Sequence, residues 1–217
     1  YKTILGETGT KEQLAKLFVA EYNEMTTSIA KYGGFYIGRY ELSSVGVQKD
    51  KPTLTETNWY NLYNACRSSK LQASDKVKTQ MIWGCQWDVT MNWLISSGAK
   101  TSDEVNKDSS SWGNYKDTSV KADDGTTEIK ASGTSAMLNT GKTIFTMANN
   151  IYDLAGNCWE WTQEAYDISI RGGRGGVYSN GFNYVNAASV RNGSSPGDSY
   201  DGRRFSSHFN NKVGTRV

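Results

Sequence analysis

The sequence predicts an α+β domain in which two helices pack on a small antiparallel sheet and a long irregular C-terminal segment follows. Three observations predict this class. Apolar residues recur at helical spacing only in the first half of the chain. Short aromatic or alternating runs, which are typical of strands, lie mostly after residue 140. Beyond residue 170 no regular period persists, and helices followed by strands are typical of α+β proteins.

The first helix is predicted over residues 10–31. Thr10 and Gln13 have the spacing of a capping box at its start, and Gly33 ends it. Five apolar residues fall on one stripe of this helix: Leu14, Leu17, Phe18, Tyr22 and Met25. The alternating aromatic run GFYIGRYEL at 34–42 then predicts a strand.

Two further helices are predicted over residues 55–69 and 86–98, the latter ended by Gly98. The second helix has one apolar face made of Trp59, Leu62, Tyr63 and Cys66. The third turns four residues to the core: Trp87, Met91, Leu94 and Ile95. We interpret the polar residues 99–142 as long loops with short strands, ordered around WGNY at 112–115. Strand candidates follow at 143–145, 157–162 and 168–170.

Length and charge limit the class of protein. The 217 residues suit one domain or two small ones, and the net charge of +2 argues against a dedicated nucleic-acid binder. No apolar run reaches membrane-spanning length, so membrane insertion is not expected. Tyr1 is not a natural start, so we expect a leader or an upstream domain before it.

The residues of the common catalytic motifs are missing from the chain. His208 is the one histidine, which rules out a two-histidine zinc site, and no GxSxG precedes it for a serine triad. GxxxxGK[ST] is absent, and the glycines of 171–197 fit no GxGxxG between a strand and a helix. Cys66, Cys85 and Cys158 form no CxxC pair, and we interpret them as small buried hydrophobic residues.

NNIYDLAGNCWEW at 149–161 resembles the signature of the formylglycine-generating-enzyme (sulfatase-modifying-factor) family, a branch of the C-type lectin-like fold. Looser resemblances to the same family occur at GGFYIGRYE (33–41), in the second helix, and at MIWGCQWDVTMNW (81–93), RGG (174–176) and VGTRV (213–217). The resemblance implies a C-type lectin-like domain over 33–217, with 1–32 as an N-terminal helix that packs on it or leads into it.

The chemistry of that family does not carry over to this chain. The enzymes bind copper through a cysteine pair after the Arg-Gly-Gly, and no cysteine follows Cys158 here. The related iron-dependent synthases need histidine ligands. We therefore expect no enzymatic activity and no required cofactor. The resemblance also implies a calcium site at Asp153, Gly156, Cys158 and Glu160, the alternative being that both carboxylates cap turns.

The same fold includes the variable proteins of diversity-generating retroelements, which the C-terminal segment also resembles. In that family, template adenines are copied with errors, mostly in AAY codons, and the resulting NNY codons cannot encode Lys, Glu, Gln, Met or Trp. Residues 1–171 contain 43 of these five residue types, about a quarter, whereas residues 172–211 contain none. We interpret 172–211 as a diversified region; the alternative is an ordinary turn-rich loop.

The composition of 172–211 is also that of a binding surface. Tyr, Ser, Gly and Asn are abundant in antibody paratopes, where Tyr supplies rigid contact area and Ser and Asn supply adaptable hydrogen bonds. For Tyr178 the alternative to a ligand contact is that its side chain packs in the core. The predicted ligand-binding residues are Val177, Tyr178, Ser179, Asn180, Phe182, Asn183, Tyr184, Asn186, Val190, Asn192, Ser194, Asp198, Ser199, Tyr200, Asp201, Arg203, Phe205 and His208.

Other positions in the segment resemble constant scaffold: Arg174, Gly175, Gly176, Ala187, Ala188, Ser189, Arg191 and Pro196. The closing strand of the fold is placed either at 213–217 or at Gly202-Arg203-Arg204, which leaves the role of 203–211 open. Residues 171–217 carry a net charge of +5, which suits an acidic ligand such as an anionic glycan.

These observations predict a non-enzymatic ligand-binding protein on a virion tail or a cell surface. Its expected partner is a protein or glycan receptor, with no nucleic acid, and it is expected to form a homo-oligomer, a trimer if it belongs to a tail fibre. Two alternatives remain at this stage. One is an oxidase of the formylglycine-generating type with an atypical site, and the other is an undiversified phage structural module.

Overall fold

The computed structural model describes residues 2–68, 78–167, 170–181, 186–195 and 213–215. For residues 213–215 it describes the backbone alone. These residues form two compact units, Tyr1–Ile37 and Gly38–Val217. The mixture of helices and small, mainly antiparallel sheets confirms the α+β class. No described helix is both long and apolar enough to cross a membrane.

The first unit contains α1 (Lys2–Leu5) and α2 (Lys11–Tyr32). The predicted capping box is confirmed: the Gln13 N–H donates to Thr10 Oγ1 over 3.2 Å, and the Thr10 N–H donates to Gln13 Oε1 over 2.8 Å. Gly33 ends α2 at φ 78°, a left-handed conformation that glycine adopts without strain. Of the predicted stripe, Leu14 and Met25 are buried, whereas Tyr22 is exposed.

The second unit contains α3 (Trp59–Cys66), α4 (Gly84–Ser96) and α5 (Ser102–Asn106). The four predicted core residues of α3 are all buried, and so are Trp87, Met91 and Leu94 of α4. The short helix α5 lies inside the stretch predicted as loops. A capping box between Thr101 and Glu104 stabilises its start.

The strands of the second unit form three sheets. Two are hairpins, β1 (Val120–Lys121) with β2 (Glu128–Lys130), and β3 (Met147–Ala148) with β4 (Ile151–Tyr152). The third has the order β7-β6-β5-β8 and consists of β5 (Trp159–Asp167), β6 (Ile170–Arg174), β7 (Arg191–Ser194) and β8 (Val213–Thr215). β6 is antiparallel to both β5 and β7, whereas β8 is parallel to β5. Of the two predicted positions for the closing strand, 213–217 therefore contains one.

Two strand predictions are wrong. Residues 34–42 form no strand; Tyr36 is fully exposed, and the backbone makes only isolated bonds such as the one from the Tyr152 N–H to Arg39 O at 2.9 Å. Residues 144–146 form a 3-10 turn, because the Thr143 hydroxyl accepts from the Phe145 N–H and offers the backbone a local alternative to a sheet. Residues 168 and 169 of the last strand candidate lie outside the described residues.

Aromatic side chains fill the core between the helices and the four-stranded sheet. Trp59, Trp87, Trp112 and Tyr115 are almost fully buried, and each burial removes on the order of 150–250 Å² from water. Their polar atoms are satisfied by the backbone: Trp59 Nε1 donates to Thr162 O over 2.8 Å, which fixes α3 to β5. Cys66 and Cys158 are buried as predicted, but Cys85 is exposed, because it lies on the outer face of α4.

Candidate ligand-binding surface

The candidate surface begins where β6 ends, at Gly175 and Gly176. Both have left-handed φ angles, 86° and 85°. A Cβ on Gly176 would lie 2.8 Å from Cε1 of Tyr115, and one on Gly175 would lie 3.0 Å from Leu154 O. The backbone conformation and the close packing together require glycine at both positions.

Arg174, the last residue of β6, is fully buried in a network of four charged side chains. Its guanidinium donates to Glu164 Oε2 through Nε at 2.9 Å and Nη2 at 2.7 Å, and to Asp88 Oδ1 through Nη1 at 2.8 Å. Arg191 of β7 donates to Asp88 Oδ2 over 2.6 Å. Two arginines of the candidate segment thus share carboxylates that come from α4 and β5.

Asn157 connects the 149–161 motif to the candidate segment. It has a left-handed φ of 58°, and its side chain accepts from the Leu138 N–H and donates to Glu41 Oε2, at 2.9 and 2.8 Å. Its carbonyl accepts from the Tyr178 N–H at 3.0 Å. The buried asparagine therefore positions the backbone at Tyr178, near the start of residues 177–186.

The first candidate loop, residues 177–186, is hydrogen-bonded at both ends. At its start, the Lys116 N–H donates to Asn180 O over 2.8 Å. At its end, the Ser109 N–H donates to Asn186 O over 2.5 Å, and the Ala188 N–H donates to Ser109 Oγ over 2.9 Å. Both ends are therefore held by residues 109–116.

The chain returns to the core after this loop. Ala187 and Ala188 are fully buried, Trp87 Nε1 donates to Ala188 O over 3.1 Å, and the Ser189 N–H donates to Val105 O over 3.2 Å. The second candidate stretch, 195–212, connects β7 to β8 within one sheet. Both candidate stretches thus begin and end on ordered secondary structure or core.

The structure divides the predicted ligand-binding residues into three groups. Val177, Asn180 and Asn186 are buried, at 3%, 8% and 9% exposure, so their predicted ligand contacts are corrected to internal packing. Five are half-buried at the surface: Tyr178, Ser179, Val190, Asn192 and Ser194. Ten lie outside the described residues: Phe182, Asn183, Tyr184, Asp198, Ser199, Tyr200, Asp201, Arg203, Phe205 and His208. Burial raises the pKa of Tyr178, so its phenol stays neutral and can both donate and accept.

One of the implied calcium residues, Asp153, has hydrogen-bond donors around its carboxylate in this structure. Asp153 accepts from the Thr140 and Thr146 hydroxyls and from the Gly141 N–H, at 2.9, 2.6 and 2.8 Å. These donors point hydrogen atoms at the two Asp153 oxygens, which is the arrangement that the turn-capping alternative describes for this carboxylate. Within the described part of the chain no group of three His, Cys, Asp or Glu side chains has the geometry of a metal site.

Residues 109–119 contribute to the candidate surface, although no sequence motif indicates a function for them. They are mostly polar, show no periodicity and lie outside residues 172–211. The prediction that WGNY at 112–115 is ordered is the one sequence feature that indicates a role for this stretch. The hydroxyl of its Tyr115 donates to Gly175 O over 2.9 Å.

Comparison with known proteins finds no matching family profile and no matching curated protein. Solved structures similar to this chain include CarF, with 14% identity, a TM-score of 0.43, and coverage of 91% of this chain and 81% of CarF. Another is variable protein 1 of Treponema denticola, with 14% identity, a TM-score of 0.40, and coverage of 80% of this chain and 74% of that protein.

Proposed function

We propose that this chain is a non-enzymatic receptor-binding protein whose C-terminal surface is diversified by a retroelement. In this proposal a C-type lectin-like scaffold presents residues 177–186 and 190–212 to a protein or glycan on a cell surface. The protein acts on a virion tail or on a bacterial surface.

The absence of Lys, Glu, Gln, Met and Trp from residues 172–211 carries this proposal. The arrangement of the segment supports it. Buried scaffold residues, such as Arg174 and Ala188, alternate with half-buried positions, such as Tyr178 and Asn192. Binding loops held at both ends by a rigid scaffold are a common way to separate folding from recognition.

The environment of Cys158, which lies in the 149–161 motif, supports a role without chemistry at this thiol. Cys158 is fully buried; burial raises the pKa of its thiol, and the neighbouring Glu41 and Glu160 raise it further. Its Sγ lies 3.2 Å from Met137 Sδ. A thiol in this environment is a poor copper ligand, because the thiolate is the form that binds metal.

The decisive experiment is to sequence this locus from sibling phages or cells, together with its downstream region. We expect substitutions to concentrate in 172–211, to spare Arg174, Gly175, Gly176, Ala187 and Ala188, and to match adenines in a nearby template copy. Substitutions spread evenly along the chain would refute diversification. Turnover of a Cys-containing sulfatase peptide in the presence of copper would refute the non-enzymatic role.

A further inference from the structure

The outer face of α4 carries apolar side chains at the surface of the second unit. Cys85, Val89 and Trp93 follow one another at intervals of four residues, so they form a single ridge along the helix. Val89 is 54% exposed and Trp93 is 45% exposed, and Cys85 is exposed as well. The opposite face of α4 is buried in the core, so this ridge is a second apolar face of the same helix.

The exposed face of α4 also lacks charge. The structure describes the whole helix, and none of its five exposed residues is charged; Asn92 and Ser96 complete the set. A surface helix normally turns charged or polar residues to water, whereas the centre of a protein–protein interface is depleted of charge and enriched in Trp. The composition of this face is therefore that of an interface with another protein surface.

The charge at the edge of the face is neutralised within the chain. Asp88, the one charged residue of α4, binds the guanidinium groups of Arg174 and Arg191 at 2.8 and 2.6 Å. A strongly charged partner would find no countercharge here. A second copy of this chain brings an equally neutral face, and the net charge of +2 is too small to keep copies apart.

The ridge is also complementary in shape to a second copy of itself. Ridges of residues four apart fit into each other's grooves when two helices cross at about −50°, the commonest class of helix packing. In an antiparallel pair with Val89 at the crossing point, Cys85 of one copy meets Trp93 of the other, so a small side chain faces a large one. The two helix dipoles are then opposed, which is favourable.

Tyr166 extends the patch beyond the helix. A Cβ on Gly193 of β7 would lie 3.3 Å from Cδ2 of Tyr166, and Arg191, two residues before Gly193, lies on the same face of the strand. Since Arg191 binds Asp88 of α4, the half-exposed Tyr166 ring lies on the side of the sheet that α4 covers. The extension matters because α4 is only about 20 Å long and a stable dimer buries about 800 Å² on each partner.

We propose that this protein forms a two-fold dimer through the outer face of α4, with Val89 at the axis. A contact of this kind uses the same patch on both copies and closes the assembly at two. The dimer carries two candidate ligand-binding surfaces, which raises the avidity for a receptor displayed in many copies. Dimer formation does not depend on diversification of residues 172–211.

Sedimentation velocity of the full chain over a range of concentrations tests the dimer. We expect a monomer–dimer equilibrium, and we expect Val89→Glu to weaken it at least about a hundredfold, because two carboxylates then meet at the axis. Glu is a better helix former than Val, so α4 is retained, as circular dichroism checks. Val45→Glu is the matched control: Val45 is 55% exposed outside α4, and this variant should dimerise like the unmodified chain.

Disulfide cross-linking tests the geometry. Helix axes about 8–10 Å apart, with Cα atoms about 2.3 Å from each axis, leave about 4–5 Å between facing Cα atoms, which a disulfide can span. Val89→Cys in a Cys85→Ser background should therefore link to itself under mild oxidation. Cys85 of the unmodified chain should not, because one helical turn on each side of the axis separates its two copies by roughly 10 Å.

Three results would each overturn the dimer: an unmodified chain that stays monomeric at every concentration, a Val89→Glu variant that still dimerises, or Cys85 that links as readily as Val89→Cys. A loss of the dimer in Val45→Glu equal to that in Val89→Glu would do the same. The proposed function is tested separately, by the sequences of sibling loci.

Discussion

At the scale of single residues, buried charge and tight packing determine which positions of the C-terminal segment can vary. Arg174 is the clearest case: truncating it removes the buried cation between Glu164 and Asp88 and leaves them the half-exposed Arg191 guanidinium. We expect Arg174→Met to destabilise the protein by about 3–5 kcal/mol, as for other broken buried pairs. Arg191→Ala, whose side chain is 49% exposed, should cost no more than about 1 kcal/mol. Urea unfolding of the two variants measures both; equal losses would contradict the assignment.

Asp153 allows the implied calcium site to be tested against turn capping. Asp153→Asn weakens three hydrogen bonds to a buried carboxylate, and we expect it to lower the free energy of unfolding by at least about 2 kcal/mol. We expect the melting temperature of the unmodified chain to stay the same in calcium and in EDTA. A calcium-dependent rise that Asp153→Asn removes would instead identify a calcium site.

Tyr115 predicts a limit on stability at alkaline pH. Burial raises the pKa of its phenol above the ordinary 10.0, so the folded state keeps a proton that the unfolded chain loses. The stability from this group is complete below pH 10 and falls as the pH rises further. Tyr115→Phe should lower the free energy of unfolding by about 1 kcal/mol at neutral pH, because the hydrogen bond to Gly175 O is lost. Between pH 10 and 11 the variant should lose less further stability than the unmodified chain loses. Denaturant unfolding at pH 7, 10 and 11 checks this.

At the scale of elements, the Lys130 ammonium is the internal support of loop 115–119. Lys130→Ala leaves converging carbonyls without a donor, and we expect a loss of about 1–3 kcal/mol on thermal or urea unfolding. Propylammonium should recover part of this loss, since it can place an ammonium in the vacated space. Lys121→Ala is the control, because that side chain reaches only a surface ion pair with Glu128. Recovery of both variants by propylammonium would indicate a general solvent effect.

The elements that the sequence predicted correctly are those whose order is local. The helices α2, α3 and α4 have apolar faces, and the residues that begin and end them lie within a few positions of their ends. The residues that they bury follow from the spacing of their apolar side chains. Loop 115–119 and strand β7 lack such signals, because Lys130 and pairing with β6 order them from a distance. In the site, resemblance pointed to Arg174 and the glycines, whereas Lys116 becomes visible only once the loops are placed.

At the scale of the whole molecule, the proposed function assigns folding and recognition to different residues of the same segment. We expect a variant with Ser179→Tyr, Asn192→Asp and Ser194→Asn together to unfold within about 1.5 kcal/mol of the unmodified chain, since half-buried surface changes cost about 0.5 kcal/mol each. Ala188→Asp, at a fully buried position beside Trp87, should prevent folding. Circular dichroism and urea unfolding compare the two; a folded Ala188→Asp protein would contradict the division.

The position of β8 has a genetic consequence. This strand pairs with β5 at one edge of the four-stranded sheet, and the codons for it come after those for residues 172–211. A copying error that shifts the reading frame anywhere in 172–211 would replace β8 with an unrelated sequence, and β5 would lose a neighbour. Codons of the NNY type cannot be stop codons either, since all three stops end in a purine. Under the proposed function, substitutions within 172–211 would therefore be compatible with folding, whereas an insertion or deletion that shifts the reading frame would remove β8.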